Sequence, residues 1–270
     1  MSESATDILT IEEISKHFGG VRALVNISTS VKKGTIHSII GPNGSGKTTL
    51  INVATGFYKP DTGAITYKGR PIQGLPPHII ARMGIGRTFQ NLRLFHSMTV
   101  EENVKSALHS ELNESLFEAF LHLGSVKINE KIARERTEII ARKLGIEEYL
   151  KSPAASLAYG VRRLVEIARA LCLNPEILIL DEPVAGMNNT ESLKLMKAIR
   201  RIVDDEGITV VLIEHDMSVV MSFSDEITVF DHGEVIARGA PAEIQTNENV
   251  IEAYLGKARE ETAMEDAKHA

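Results

Sequence analysis

Hydrophobic residues along the chain form short continuous runs that alternate with longer stretches of helical spacing. Runs of strand length occupy residues 8–14, 27–31, 35–40, 177–180 and 208–213. Residues 161–173, with Leu164, Ala168 and Leu171 on one face, and residues 191–203 have the spacing of amphipathic helices. Because strands that alternate with helices usually pair in parallel, the pattern predicts an α/β fold with a mostly parallel core sheet.

Further strands are predicted between these segments. Residues 64–68 alternate apolar and polar side chains, and residues 85–90 predict a strand that ends at Gln90. Residues 227–230 and 234–238 flank the polar turn Asp231-His232-Gly233, so we expect a β-hairpin there.

The stretch from residue 100 to about residue 150 has a different character. Glycine is sparse, charges are numerous, and apolar residues recur at helical spacing, for example Ile132, Ile139, Ile140 and Leu144. We therefore predict a helical insertion in the α/β chain. Its mixed charges at 131–143 are typical of a solvated helix face.

One glycine-rich segment follows the strand at 35–40 and fits the phosphate-loop pattern G-x-x-x-x-G-K-[ST] without a mismatch. Its residues are Gly41, Pro42, Asn43, Gly44, Ser45, Gly46, Lys47, Thr48 and Thr49. Glycines let backbone N–H groups converge on phosphate oxygens, and the following helix adds its dipole. Lys47 would contact the β- and γ-phosphates and Thr48 would bind Mg²⁺. The alternative is a turn without a ligand, but Lys47 and Thr48 have no turn-forming role.

Two adjacent carboxylates, Asp181 and Glu182, end the apolar strand at 177–180. A phosphate loop followed far downstream by such a strand is the signature of a nucleotide hydrolase, with Asp181 as the Mg²⁺ partner. Glu182 would then deprotonate the attacking water. The structural alternative is a strand that runs into a solvated turn. His215 also follows a strand and is placed to bond a γ-phosphate, although a lone histidine is more often structural.

Composition excludes several classes of protein. The 270 residues carry a formal net charge of −6, which argues against a nucleic-acid surface. The chain has one cysteine, Cys172, so it can form no internal disulfide. No apolar run approaches the ~18 residues of a membrane span, and the N-terminus lacks the features of a signal peptide. Together these features predict a cytoplasmic protein.

The order of the segments resembles the ATP-binding subunit of an ATP-binding-cassette (ABC) transporter. Besides the phosphate loop and the helical stretch, the resemblance rests on Arg87-Thr88-Phe89-Gln90, Leu157-Ala158-Tyr159-Gly160, residues 177–182 and Ile213-Glu214-His215-Asp216. It covers nearly all of residues 8–255. It implies the ABC form of the P-loop NTPase fold, in which an N-terminal antiparallel β subdomain and an inserted helical subdomain accompany the core sheet.

The resemblance also implies domain boundaries. A single nucleotide-binding domain would span residues 1–255. The core and β subdomain would occupy about 1–99 and 158–240, and the helical subdomain about 100–157. Residues 256–270 would be a polar tail, which composition alone suggests is a short helix or a frayed end.

Residue roles follow from the same resemblance. Phe18 would stack on adenine, although the residues alone leave ordinary packing equally open. Gln90 would sense the γ-phosphate and Mg²⁺ and face the membrane partner, and His215 would be the switch histidine. The family works as a head-to-tail dimer, in which the signature residues Ala158, Tyr159 and Gly160 of one chain close the ATP site of the other.

The signature departs from the common Leu-Ser-Gly-Gly-Gln. Ala158 lacks a hydroxyl, Val161 replaces glutamine, and Asn188 stands where aspartate is usual. Ala158-Tyr159-Gly160 and Asn188 resemble one branch, the importers of branched-chain and other hydrophobic amino acids, as do residues 90–95 and 239–244. Val161 departs even from that branch, and it brings the strength of the site between chains into question.

The sequence thus predicts an ATPase subunit, peripheral on the cytoplasmic face of the membrane, that energises import through separate permease subunits. Its partners would be those permeases, a second ATPase subunit and, indirectly, an extracytoplasmic solute-binding protein, with no nucleic acid. Alternatives within transport are another solute, such as urea or an amide, or export. Outside transport, they are a soluble cassette ATPase acting on DNA or ribosomes, and a regulatory module without turnover.

Overall fold

The structure, a computed structural model, describes residues 6–88, 94–108 and 123–254, with side chains of the last range described from residue 130. The chain divides into two compact units. The first unit comprises Met1–Met83 and Thr209–Ala270, and the second unit comprises Gly84–Ile208. Within the described residues, no helix combines the length and apolar character needed to cross a membrane.

The chain forms both strands and helices, as predicted, and its first three strands follow one another without a helix between them. The strands are β1 (Asp7–Phe18), β2 (Val21–Lys32), β3 (Ile36–Ile40), β4 (Thr62–Tyr67), β5 (Arg70–Pro71), β6 (Ile85–Arg87), β7 (Ile177–Asp181), β8 (Thr209–Ile213), β9 (Glu226–Asp231) and β10 (Glu234–Gly239). The helices are α1 (Lys47–Ala54), α2 (Pro77–Arg82), α3 (Val100–Leu108), α4 (Leu123–Leu144), α5 (Tyr159–Cys172), α6 (Asn189–Glu206), α7 (Met217–Phe223) and α8 (Pro241–Gln245). Residues 248–254 are also helical.

The strands of the first unit belong to two sheets. One is antiparallel, with the order β2-β1-β4-β5. In the other, β3 pairs in parallel with both β8 and β9, and β9 forms an antiparallel hairpin with β10. Parallel pairing buries both faces of β3 and β8, which is why these strands are apolar along most of their length. The predicted hairpin at Asp231-His232-Gly233 is confirmed.

Two N-terminal strands are longer than the hydrophobic pattern indicates. The sequence predicts a strand over 8–14 with Phe18 in a connection, whereas β1 continues to Phe18, which pairs with Val21 of β2. Lys16 pairs with Leu24 in the same ladder. Backbone pairing between the two strands extends past Ile14, the last buried apolar residue of β1. The apolar run alone therefore predicts an end of β1 that is too early.

An apolar cluster joins the C-terminal part of the chain to the core of the first unit. Ile40 at the end of β3 packs in it with residues of β9, α7, α8 and the helix at 248–254, including Ile244 and Val250. Tyr254 lies at its edge. Residues from the C-terminal part of the chain therefore pack against the strand that leads into the phosphate loop.

A small polar cluster lies beside the same strands. The Nε2 atom of His37, fully buried in β3, lies 2.8 Å from the Thr228 hydroxyl of β9, and its Nδ1 atom lies 3.6 Å from Glu226. Arg238 Nε donates to Glu226 at 3.1 Å. The His37 ring, and after it Arg238, lower the pKa of Glu226 to about 2, against the effect of burial.

In the second unit, β6 and β7 pair in parallel. Helices α3 and α4 confirm the helical insertion within the described residues. The expected apolar face of α4 is partly wrong, because Ile132 and Ile139 are 53% and 50% exposed whereas Ile140 and Leu144 are buried. Small residues of α4, such as Ala133, complete the buried face instead. Helical spacing alone did not show which set of apolar residues faces the core, the one with Ile132 and Ile139 or the one with Ile140 and Leu144.

We predict that Glu226→Gln lowers the free energy of unfolding at pH 7, since it removes an ion pair and a contact with a buried histidine. The pKa of this carboxyl lies below its ordinary value of 4.5. The carboxylate therefore stabilises the fold above about pH 4.5 and loses that contribution as the pH falls toward 2. Urea denaturation at pH 7 and pH 4 should show the difference from wild type shrinking at the lower pH.

The exposed Glu252 provides the matched control. Glu252→Gln should leave the free energy of unfolding nearly unchanged at both pH values. A difference between Glu226→Gln and wild type that stays constant from pH 7 to pH 4 would show that the charge of Glu226 is not what stabilises this cluster.

Candidate functional site

Two glycines of the phosphate loop occupy positions that no other residue fits. Gly41 has φ +147°, and a Cβ there would lie 2.1 Å from the Phe230 carbonyl oxygen. Gly46 has φ +107°, and its Cβ would lie 2.6 Å from the Ala23 carbonyl oxygen. The loop between β3 and α1 is thus threaded between β9 and β2 at backbone contact distance, which only glycine permits.

The polar side chains of the loop differ in their exposure to solvent. Lys47 is buried, and its Nζ donates to the Gly41 and Pro42 carbonyls at 2.7 and 2.9 Å. Ser45 is buried as well, and its hydroxyl has no hydrogen-bond partner within the described part of the chain. Thr48, in contrast, is exposed in the first turn of α1.

The tip of the β9–β10 hairpin is hydrogen-bonded to this loop. The Gly233 N–H donates to the Ser45 carbonyl at 3.0 Å, and the Gly233 carbonyl accepts from the Val25 N–H at 2.8 Å. His232 and Gly233 have φ values of +45° and +82°, as a tight hairpin turn requires. The loop is therefore held from a turn that is nearly 190 residues away along the chain, so its shape does not depend on local sequence alone.

Two further predicted residues lie in the first unit. Phe18 is 42% exposed and contacts Tyr58 edge to face, with ring centroids 5.1 Å apart. Lys16 Nζ lies 5.4 Å from the Phe18 ring centroid, so this ring already interacts with a cation. His215 is exposed just after β8, and its backbone N–H donates to the buried Glu214 carboxylate at 3.2 Å.

In the second unit, β7 ends in the predicted acidic pair. Asp181 is 4% exposed, and its carboxylate accepts a hydrogen bond from Arg87 of β6 at 3.1 Å. Glu182 is partly exposed and has φ +48°, an unfavourable conformation for a residue with a side chain. Gln90 lies outside the described residues.

The signature residues open α5. Ala158 is the N-cap residue and provides no side-chain hydrogen bond, so the first amides of the helix are not capped by a side chain. A Cβ on Gly160 would meet Glu191 only at an ordinary 3.8 Å, so packing does not require glycine there. A Cβ atom built on Gly186 would lie 3.7 Å from the Tyr159 ring. The signature therefore adjoins the segment that follows the acidic pair.

Sequence reasoning missed two contacts at these residues. Arg163 of α5 is 1% exposed and bonds the carbonyls of Asp181 and Glu182, although a charged helix residue suggests a solvated face. Its buried partner Glu166, three residues later, is the one signal that could have found it. In the first unit, burial raises the pKa of the Tyr254 hydroxyl to about 12.

Residues 24–185 match the family described as ABC transporter. The chain belongs to this family. Residues 234–260 match a further family, described as branched-chain amino acid ATP-binding cassette transporter. The LivG protein of Salmonella typhimurium, a high-affinity branched-chain amino acid transport ATP-binding protein, is 44% identical over 251 residues, which are 93% of this chain and 98% of LivG.

Solved ABC cassettes have the same fold. The ADP conformation of an ATP-binding cassette of an ABC transporter superposes with a TM-score of 0.82 at 34% identity, covering 93% of this chain and 99% of that one. A dimeric cassette in a post-hydrolysis state, bound to ADP and phosphate, gives a TM-score of 0.72 at 26% identity, covering 86% and 98%. The ABC ATPase fold expected from the sequence is confirmed, and this chain is a nucleotide-binding ATPase of that family.

One departure from the common ABC pattern has a structural role. Asn188 is the N-cap of α6, where its side chain accepts from the Glu191 N–H at 3.0 Å and its own N–H donates to the Glu191 carboxylate at 3.1 Å. Asparagine caps a helix as well as aspartate does. The substitution therefore preserves this helix start and removes a negative charge beside it.

We predict that Gly46→Ala destabilises the protein more than Gly69→Ala. Both positions have positive φ, which costs alanine about 1–2 kcal/mol. Gly69 has nothing within 4 Å of an added Cβ, whereas at Gly46 the clash with Ala23 should add about 1–3 kcal/mol. Urea denaturation measures both losses, and equal losses would show that the loop can yield at Ala23 without cost.

Proposed function

We propose that this ABC ATPase hydrolyses Mg-ATP to drive the uptake of branched-chain or other hydrophobic amino acids through a separate membrane permease. The likeness to LivG carries this proposal, because 44% identity extends over 98% of the length of LivG. The match of residues 234–260 to a branched-chain amino acid transporter family adds support outside the general ABC region.

Nucleotide binding is assigned to the phosphate loop. Lys47 would exchange its bonds to the loop carbonyls for bonds to the β- and γ-phosphates. Residues Gly41 to Thr49 would surround the phosphates, with backbone N–H groups of the loop facing phosphate oxygens. Pro42 has no N–H, and the Ser45 N–H already donates to the Pro42 carbonyl at 3.1 Å. The buried Ser45 hydroxyl, which has no partner among the residues that the structure describes, fits a phosphate ligand. The exposed face of Phe18 would stack on adenine.

The metal ligands are assigned to Thr48, Gln90 and Asp181. No group of three His, Cys, Asp or Glu side chains that could hold a metal ion occurs among the described residues, but Mg²⁺ held by ATP phosphates needs only one or two carboxylates. The exposed Thr48 hydroxyl and the preorganised Asp181 carboxylate suit that demand. When bound, the metal neutralises charge that develops on the phosphates.

Hydrolysis is assigned to Glu182 and His215. Glu182 would take a proton from the attacking water, since it is partly exposed and adjoins the residue that faces the metal. The exposed His215 would hydrogen-bond the γ-phosphate and report its presence. Lys47 would stabilise the negative charge of the transferred group.

The second ATPase subunit would supply Ala158, Tyr159 and Gly160. An uncapped helix start and a glycine that packing does not require support a ligand from outside the chain, such as the γ-phosphate of the partner's ATP. The dimeric relative supports the assembly. The second subunit would be another copy of this chain or a related chain, and Val161 in place of glutamine would make this contact weaker.

The remaining partners and the location follow from the proposed transport role. The subunit would lie on the cytoplasmic face of the membrane and contact permease subunits through the Gln90 region and the helical insertion. A solute-binding protein would act on the other side of the membrane. Urea or a short amide is the alternative solute. The names of the relatives, which refer to branched-chain amino acids, support it less.

We expect Glu182→Gln to lower ATP hydrolysis by roughly 10²- to 10⁴-fold, the usual contribution of a general base. ATP binding should persist because the phosphate loop is unaltered, so Mg-ATP should dimerise the variant and the dimer should be long-lived. Phosphate release and size-exclusion chromatography measure these two effects.

An isosteric change elsewhere in the second unit provides the control. Glu206→Gln lies at an exposed pair with Lys143 and should hydrolyse ATP at the wild-type rate. Near-normal hydrolysis by Glu182→Gln would remove this residue from the role of base, and wild-type protein that binds ATP without turnover would favour a regulatory module.

We expect cells that depend on this chain to lose uptake of labelled leucine when Lys47 is replaced by alanine, because the ammonium that binds the phosphates is removed. Membrane fractions should still contain the assembled transporter. Unchanged leucine uptake in a strain without other leucine importers would overturn the proposed solute and leave the ATPase assignment in place.

A further inference from the structure

The conformation of Glu182 requires support from its surroundings. Its φ of +48° is rarely adopted by residues with a side chain, and such a conformation persists only when neighbouring groups fix it. The direction of the Glu182 side chain depends on the two peptide groups that flank its Cα atom. One ends in the Asp181 carbonyl and the other in the Glu182 carbonyl.

A single guanidinium nitrogen holds both of these peptide groups. Nη2 of Arg163 donates to the Asp181 carbonyl at 2.7 Å and to the Glu182 carbonyl at 2.9 Å. Both backbone dihedral angles of Glu182 lie between these two anchored oxygens. Arg163 therefore restricts rotation about the Glu182 Cα atom.

The guanidinium is itself fixed. Its Nη1 donates to the Glu166 carboxylate at 2.6 Å, one turn further along α5, and the Arg163 side chain is 1% exposed. A buried cation without a partner costs several kcal/mol, so the Glu166 charge is what makes this position tolerable. The planar arrangement of N–H groups lets one side chain serve the carboxylate and both carbonyls at once, which a lysine ammonium does less well.

We propose that Arg163 is a positioning residue for ATP hydrolysis, which holds the backbone of Glu182 so that this side chain points at the attacking water. The inference rests on the proposed role of Glu182 as general base. It assigns no contact between Arg163 and nucleotide. Loss of Arg163 should therefore reduce the rate of the chemical step and leave ATP binding at the phosphate loop intact.

The test compares Arg163→Lys with wild type in steady-state ATP hydrolysis and in titration with a fluorescent ATP analogue. We expect kcat to fall roughly 10- to 100-fold, since small misplacement of a reacting group has effects of this size. The KM for Mg-ATP, and the affinity and stoichiometry of the analogue, should change less than twofold. Arg163→Gln, whose amide retains two N–H groups, is the second variant if the lysine variant does not fold.

A matched control removes an arginine–carboxylate pair elsewhere in the second unit. Arg200→Met breaks the exposed pair with Asp204 on α6 and should leave kcat unchanged. A fall in analogue stoichiometry that parallels the fall in kcat of an Arg163 variant would show loss of folded protein, and it would overturn the positioning role.

A double variant separates positioning from a general effect on the fold. If Arg163 acts through Glu182, adding Arg163→Lys to Glu182→Gln should cause no further loss of single-turnover phosphate release beyond twofold. Losses that multiply would overturn the inference. If Glu182→Gln alone hydrolyses ATP normally, the proposed general base fails instead, and the two failures are thus distinguishable.

Discussion

The phosphate loop depends on a close approach of backbone to backbone that side chains would prevent. The carbonyl oxygens of Phe230 and Ala23 occupy the space where Gly41 and Gly46 would carry a Cβ atom. Strands β2, β3 and β9 therefore have to converge on the loop at one fixed spacing. The hydrogen bonds of Gly233 to Ser45 and Val25 maintain that spacing from the hairpin side. These contacts restrict the positions that the loop can take.

The second unit fixes its acidic pair by different means. Side chains hold Asp181 and Glu182 there, with Arg87 on the Asp181 carboxylate and Arg163 on the two backbone carbonyls. Anchoring of the backbone depends on strand pairing, whereas the bonds from Arg163 depend on the position of α5 and the bond from Arg87 on β6. The two halves of the proposed chemistry thus differ in how they are held.

Features that depend on local sequence could be predicted, and those that depend on packing could not. The spacing of Gly41, Gly46 and Lys47 is imposed by one loop, and the apolar run before Asp181 by one buried strand, so both were evident. The buried side of α5 was not, because Arg163 and Glu166 neutralise each other and replace apolar residues on it. Phe18 was predicted to lie in a connection but lies in β1, because backbone pairing between β1 and β2 continues beyond the apolar run of β1.

One consequence follows from the course of α5, which is 14 residues long. Arg163 lies four residues beyond Tyr159, which is about 6 Å along the helix axis. An α-helix does not bend over so short a distance, so a displacement of its first turn is transmitted to the guanidinium and hence to both carbonyls it holds. The start of α5 and the end of β7 are therefore coupled through Arg163, and in the proposed mechanism a contact made at the signature would shift the backbone that orients Glu182.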